Sequence, residues 1–438
     1  MLPAGHVLAS EREPLDIDLF ARVPAPGSPE GIAVDSEGIV FVATSPKQGG
    51  PLAGPPSKVF AYGPQGELRR EYVIEGQDLH DPFNGLIGLA FDGAGRLYAA
   101  DVAPPRIIRL NPRTGAQRDY ASLPDVPPCS TVSDSRECSD TVRDLAPLPD
   151  YPVFAPDGTM YVTDLNQALI WRIPPGGGRP EVWFTEQGFE SLFGPNGIQF
   201  LADGRTLLFV LSTQSSPAAD PQRSPGLYLL RVRRDGSPGL LRQVWESAPS
   251  DVPDGFALGR SGNAYVALAG TSGNAVAVIS AAGEELARTP GSEVENQLME
   301  VPFDQPASAA FLGERILVTN HALFSRNADH YAVLDVFAAE RGLPLFRPRF
   351  GEPAIDLAVR PRRTAVGRRT CFRLRADYRA GGPLADARVR FAGKRKRTGP
   401  RGRTVICKRF RAAGRVTARV RAPGFPLARA RVRAVPAR

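Results

Sequence analysis

Histidine is nearly missing from this chain of 438 residues, which has four. Cysteine is as scarce, also four, and no two cysteines have a CxxC spacing. Together these shortages argue against a zinc site. No run of eighteen apolar residues occurs, so no membrane-spanning helix is encoded. Met1 to Ser10 lacks a basic start and a sustained apolar stretch, and it does not read as a signal peptide. Acidic residues are rare at one end only. From Pro353 onward 3 Asp+Glu stand against 26 Lys+Arg, a net of +23, while the rest of the chain nets −15. Such a split marks a domain boundary and separate roles. Nearly all these cations are arginine, a bias that a GC-rich coding sequence produces without any partner.

Glycine and proline are plentiful, 44 and 43 residues, about a fifth of the chain. They follow no collagen-like period, so they read as tight turns between short strands. The cysteines form two local pairs, Cys129 with Cys138 and Cys371 with Cys407. Local pairs argue for disulfides and an exported protein, with inert buried thiols as the alternative.

One stretch organises the rest. Pro195-Asn196-Gly197-Ile198-Gln199-Phe200 is a turn, a polar residue and an apolar strand, closed by Asp203-Gly204 and a returning strand, Leu207 to Leu211. The pattern recurs with first residues Glu30, Ile87, Asp150, Asn196, Asp254 and Ala307. The intervals run from 46 to 63 residues, and each unit holds about four short strands, which is the length of a propeller blade. The expected fold is all-β: a six-bladed β-propeller over residues 15–340. Leu15 to Phe20 is expected to close the ring as the outer strand of the sixth blade. Residues 341–352 read as a linker. Residues 353–438 alternate Arg with Val, Ala and Phe, and suggest a small antiparallel, immunoglobulin-like sandwich.

In a propeller the first residue of each inner strand points toward the axis. Here Glu30, Asp150, Asn196 and Asp254 bring oxygen to that axis, whereas Ile87 and Ala307 do not. Three carboxylates and an amide in one channel need a cation, and a hard one such as Ca2+ takes six to eight oxygens of this kind.

Pro29-Glu30-Gly31, Pro195-Asn196-Gly197 and Pro253-Asp254-Gly255 resemble the metal-binding signatures of the regucalcin/gluconolactonase-like six-bladed propellers. The resemblance implies one divalent cation in the central channel, held by Glu30, Asn196 and Asp254, and hydrolysis of lactones or related esters. Asp150 stands where many members carry an Asn that binds metal or substrate. The resemblance also implies that Asp254 takes part in catalysis, as ligand, base or both.

Loops at the same face supply further candidates. His321 is a candidate general base, with a plain rim histidine as the alternative. His80, Asn84, Asn166 and Asn320 are candidate substrate contacts. Trp171 and Trp183 read as packing between sheets. The run Lys394 to Arg397 reads as a hairpin tip more readily than as a nucleic-acid site. A second functional class stays open: a non-catalytic binding propeller of the NHL or strictosidine-synthase-like kind, anchored through 353–438 to an anionic cell-envelope polymer. We expect a monomer that takes a small-molecule substrate.

Overall fold

Runs of four to six apolar residues between Gly and Asp turns are too short for helices and pair instead as antiparallel strands. The computed structural model describes residues 12–46, 54–132, 137–271, 273–349, 355–378, 383–399, 401–422 and 427–436. Met1 to Ser10 and the end of the expected linker, 350–352, lie outside the described residues.

Six sheets of four antiparallel strands make up the larger part of the chain. Their inner strands are Pro29–Val34, Leu86–Phe91, Pro149–Phe154, Pro195–Phe200, Pro253–Leu258 and Pro306–Leu312. Each inner strand contacts the next, and the first contacts the last, so the sheets close a ring around an axis. This is a six-bladed β-propeller. Ile17–Arg22 pairs antiparallel with Ala332–Phe337 and so forms the outer strand of the last blade, as expected. Closure in this way leaves no open edge between the first and last blades.

Aromatic side chains fill the spaces between blades. Phe41 meets Phe91 edge-on at 5.1 Å, Tyr98 meets Phe154 at 4.9 Å, and Tyr161 meets Phe200 at 5.6 Å. Trp171 is buried and donates its indole N–H to Asp164 at 3.0 Å, and Trp183 donates to the carbonyl of Gly236 at 2.8 Å. Both are packing residues.

Residues 341–349 are not a free spacer. They run across the lower ends of the inner strands. Leu343 N–H donates to the Leu258 carbonyl at 2.7 Å, and Gly93 N–H donates to the Pro348 carbonyl at 3.0 Å. Arg347 donates to the carbonyl of Val34, and Phe346 packs edge-on against Phe200 at 6.2 Å. The reason is apolar content: Leu343 and Phe346 are half-buried against the cores between blades, while Leu345 stays exposed. The strap and the strand ends line a half-open cavity of about 470 Å³.

Beyond it, a three-stranded and a five-stranded sheet share one core that includes Phe372, Phe391 and Phe410. The pairing is antiparallel except at one edge, where Arg363–Ala365 runs parallel to Ala428–Val435. Cys129–Cys138 and Cys371–Cys407 are disulfides, and no cysteine is free. Two disulfides are consistent with an oxidising, extracytoplasmic compartment. No helix of the described residues is long and apolar enough to cross a membrane.

Candidate functional site

Every inner strand carries a bulge at its upper end. Pro29 pairs with Thr44 and Ile32 with Val42, so Glu30 and Gly31 together oppose one residue. The same step occurs at Ile87, Asp150, Asn196, Asp254 and Ala307. A bulge re-aims a side chain and ends regular pairing. The chain therefore repeats one backbone device six times and varies the residue displayed on it.

The residue after the bulge head is glycine in four blades, because neighbouring inner strands nearly touch there. A Cβ on Gly197 would lie 2.8 Å from the Gly255 Cα, and one on Gly31 or Gly88 would strike the carbonyl of the next strand. Blade three breaks the rule with Tyr151 and blade six with Ser308. The Tyr151 side chain passes over Gly255, and its hydroxyl hydrogen-bonds that of Ser308. Tyr151 thus forms a bar across the channel beneath the heads. Burial raises its phenol well above the usual range, and Asp254, Asp150 and Glu30 push it further.

Above that bar the predicted acidic heads are near enough to raise one another's carboxyl groups electrostatically. Asp150 is fully buried, and neither carboxylate oxygen has a hydrogen-bond donor. Asp254 Oδ1 is buried and lacks a donor as well. Burial pushes the Asp150 carboxyl well above its ordinary value, and the charges of Asp254 and Glu30 add to the rise. Asp254 is raised by burial and then by Glu30, while a hydrogen bond from the Asn196 amide acts the other way. Asn196 Oδ1 meanwhile accepts from the N–H of Gly197 at 2.7 Å. Glu30 is 6% exposed, and its Oε2 lies 2.6 Å from Nδ1 of His321, itself 7% exposed.

The other candidates divide. Asn84 is completely buried, with both amide atoms lacking partners. Ser212, on the loop after the second strand of blade four, has an equally unpartnered buried hydroxyl. His80 is on the rim, with its side chain 80% exposed and Nδ1 3.9 Å from Asp78 Oδ1. Asn166 donates to the Ala146 carbonyl at 3.1 Å. Asn320 is buried and holds its own loop: it accepts from Asp304 N–H and donates to the carbonyls of Pro302 and His330. Asp101 and Asp164 are likewise engaged, Asp101 with Arg106 and Gln77, Asp164 with Trp171 and backbone N–H groups. The features that sequence reasoning missed are Tyr151, Ser308 and the Glu30–His321 pair. The signal for Tyr151 was present: blade three alone among the four oxygen-bearing blades lacks glycine after its head.

An all-oxygen donor set with orphaned carboxylates suits a hard cation. Among the described residues, however, no three His, Cys, Asp or Glu side chains are arranged as a group that could hold an ion. The chemistry of the donors fits; the closed coordination cage is not drawn together.

No family model and no curated protein matches the chain. Solved structures do. Regucalcin, a calcium-binding protein from Agrobacterium tumefaciens, is 17% identical, with 76% of this chain and 98% of that chain covered and a TM-score of 0.51. A candidate gluconolactonase is 15% identical over 75% of this chain and 94% of that one, with a TM-score of 0.49. A luciferin-regenerating enzyme is 13% identical over 77% and 100%, with a TM-score of 0.49. At such identities the likeness speaks to fold alone, and the chain carries a β-propeller of the regucalcin-like architecture.

Proposed function

We propose that the protein is a hydrolase of lactones or related esters that uses a hard divalent cation, Ca2+ by donor chemistry, at the upper end of the channel. The observation that carries this reading is the buried group Glu30, Asp150 and Asp254, whose carboxylates repel one another and leave three oxygens of the two Asp side chains without donors. Charges buried in this way need neutralising. Glu30, Asp150, Asn196 and Asp254 would hold the ion.

When bound, such a cation polarises an ester carbonyl and offsets the charge that develops on its oxygen. The chain's own groups then supply proton handling. Glu30, with Oε2 2.6 Å from Nδ1 of His321, would stabilise the imidazolium that forms. His321 accepts the proton of the attacking water as the new C–O bond forms. The ring C–O bond breaks, and the proton returns to the leaving oxygen. Asp254 is the competing base in the same site. Tyr151 bars the channel below, so substrate enters from the upper rim, past His80 and the loop of Asn84.

Metal analysis, melting with and without EDTA, and a lactone panel test this reading. Metal should co-purify, and a cation at one hundred times its Kd should stabilise the protein by about 2.7 kcal/mol. Asp254→Ala and His321→Gln should each reduce turnover by roughly 10²–10⁴. No metal together with an unchanged melting temperature removes the cation. Wild-type turnover in both variants removes the two residues from catalysis.

A further inference from the structure

The five-stranded sheet of the C-terminal module buries one face and shows the other to solvent. Along Gly414–Arg421 and Ala428–Val435, Val420, Val432 and Ala434 point into the core while Arg419, Arg421, Arg431 and Arg433 point out. The registers then set arginine opposite arginine. Arg429, Arg419, Arg390 and Arg395 form one row across four strands. Arg421, Arg388 and Arg397 form a second. Arg363, Arg433 and Arg415 form a third.

Neighbouring strands lie about 4.8 Å apart, and like charges directly opposite destabilise a sheet. The described part of the module offers little relief. Asp377 pairs with Arg375 on the other sheet, and Asp386 pairs with Arg397 at the end of one row. No carboxylate among the described residues pairs with the remaining arginines of the rows. Composition bias explains arginine in place of lysine. It does not explain why the arginines align into rows on one face.

The surface is also shaped. One concavity of about 550 Å³ is lined by Arg362, Arg419, Arg429 and Arg431. A second, of about 510 Å³, is lined by Arg388, Arg390, Arg395 and Arg421. Arg419 lines both, and the first concavity also reaches Leu357 and Val359 of the three-stranded sheet. The five strands hold one aromatic residue, Phe391, and it is buried in the core.

We infer that this face binds a linear polyanion of closely spaced phosphodiesters without aromatic bases, a polyol-phosphate chain of a cell envelope. Guanidinium forks match phosphate oxygens two at a time. Rows about 4.8 Å across and about 6.7 Å along the strands offer a regular lattice of such forks. Single-stranded nucleic acid is bound by basic grooves that also stack bases on aromatic rings, and this face has none. Both disulfides agree with an extracytoplasmic setting, where envelope polymers are met.

The test uses the full chain with poly(glycerol phosphate) and, separately, single-stranded DNA of matched charge. Binding to the polyol phosphate should be measurable at about 50 mM salt and fall steeply by about 200 mM. Replacing Arg390, Arg419 and Arg429 together by Ser should weaken it at least about tenfold, each lost contact removing one counterion-release term. Replacing Arg113, Arg233 and Arg234, exposed on the propeller, removes equal charge and should change it less than about twofold. The row variant should melt no lower than wild type, because it relieves like-charge contacts. Absence of binding at the lower salt, equal loss in the two variants, or tighter binding to DNA overturns the proposal.

Discussion

Asp150 concentrates the electrostatic problem of the molecule in one side chain. It is fully buried, has no donor, and faces the charges of Asp254 and Glu30. Its carboxyl is raised from an ordinary 3.8, so the folded protein holds a proton that the unfolded chain releases. Stability from this group is therefore present at acid pH and is lost as pH climbs from that ordinary value through the raised one. In metal-free protein, Asp150→Asn should melt within a degree of wild type near pH 4. By pH 7 it should melt higher by a few degrees, roughly 1 kcal/mol. The same variant should lose most of the stabilisation that added cation provides. Melting curves across pH, with and without cation, check both; a pH-independent difference would show that Asp150 stays neutral throughout. Asp150, Glu30, Asn196 and Asp254 were legible in the sequence because they occupy one position of a repeat. The Glu30–His321 contact was not, since it joins residues at opposite ends of the propeller sequence.

At the scale of elements, the bulge and the strap divide the channel between them. The bulge turns each head inward and the following glycine lets the strands crowd, so the upper end displays chemistry while its backbone stays constant. Tyr151 separates that end from the lower cavity, which the strap lines. Stability and site should accordingly respond independently. Phe346→Ala removes a half-buried ring from Phe200 and Gly204 and should cost roughly 1–3 kcal/mol. The stabilisation gained from added cation should stay as in wild type, which denaturant titrations with and without cation would check. Loss of that cation response would mean that the strap shapes the upper site through the inner strands. By sequence the strap reads as a linker, because Pro, Gly and Arg are frequent in it. Its attachment depends on carbonyls such as Leu258 and Val34, which no local pattern announces.

At the scale of the whole molecule, an acidic ring is joined to a strongly basic module with its own core. Salt should act on the two parts differently. Screening weakens repulsion over about 10 Å at 0.1 M, so added NaCl should raise the melting transition of the arginine-rich module. It should shift the propeller transition less, because the ring's core lies between blades and its buried carboxylates are screened little. Calorimetry at low and high salt checks this, and a module transition that falls with salt would contradict it. The sequence alone determined the blade repeat, the ring-closing strand, the paired cysteines and the four oxygen heads, because these follow from local periodicity and from position within a repeat. Only the tertiary structure decided that Tyr151 bars the channel, that Glu30 meets His321, that residues 341–349 cap the lower mouth, and that arginines stand row against row. Each of these depends on which strands become neighbours and in what register, and that is set when the ring and the sheets close.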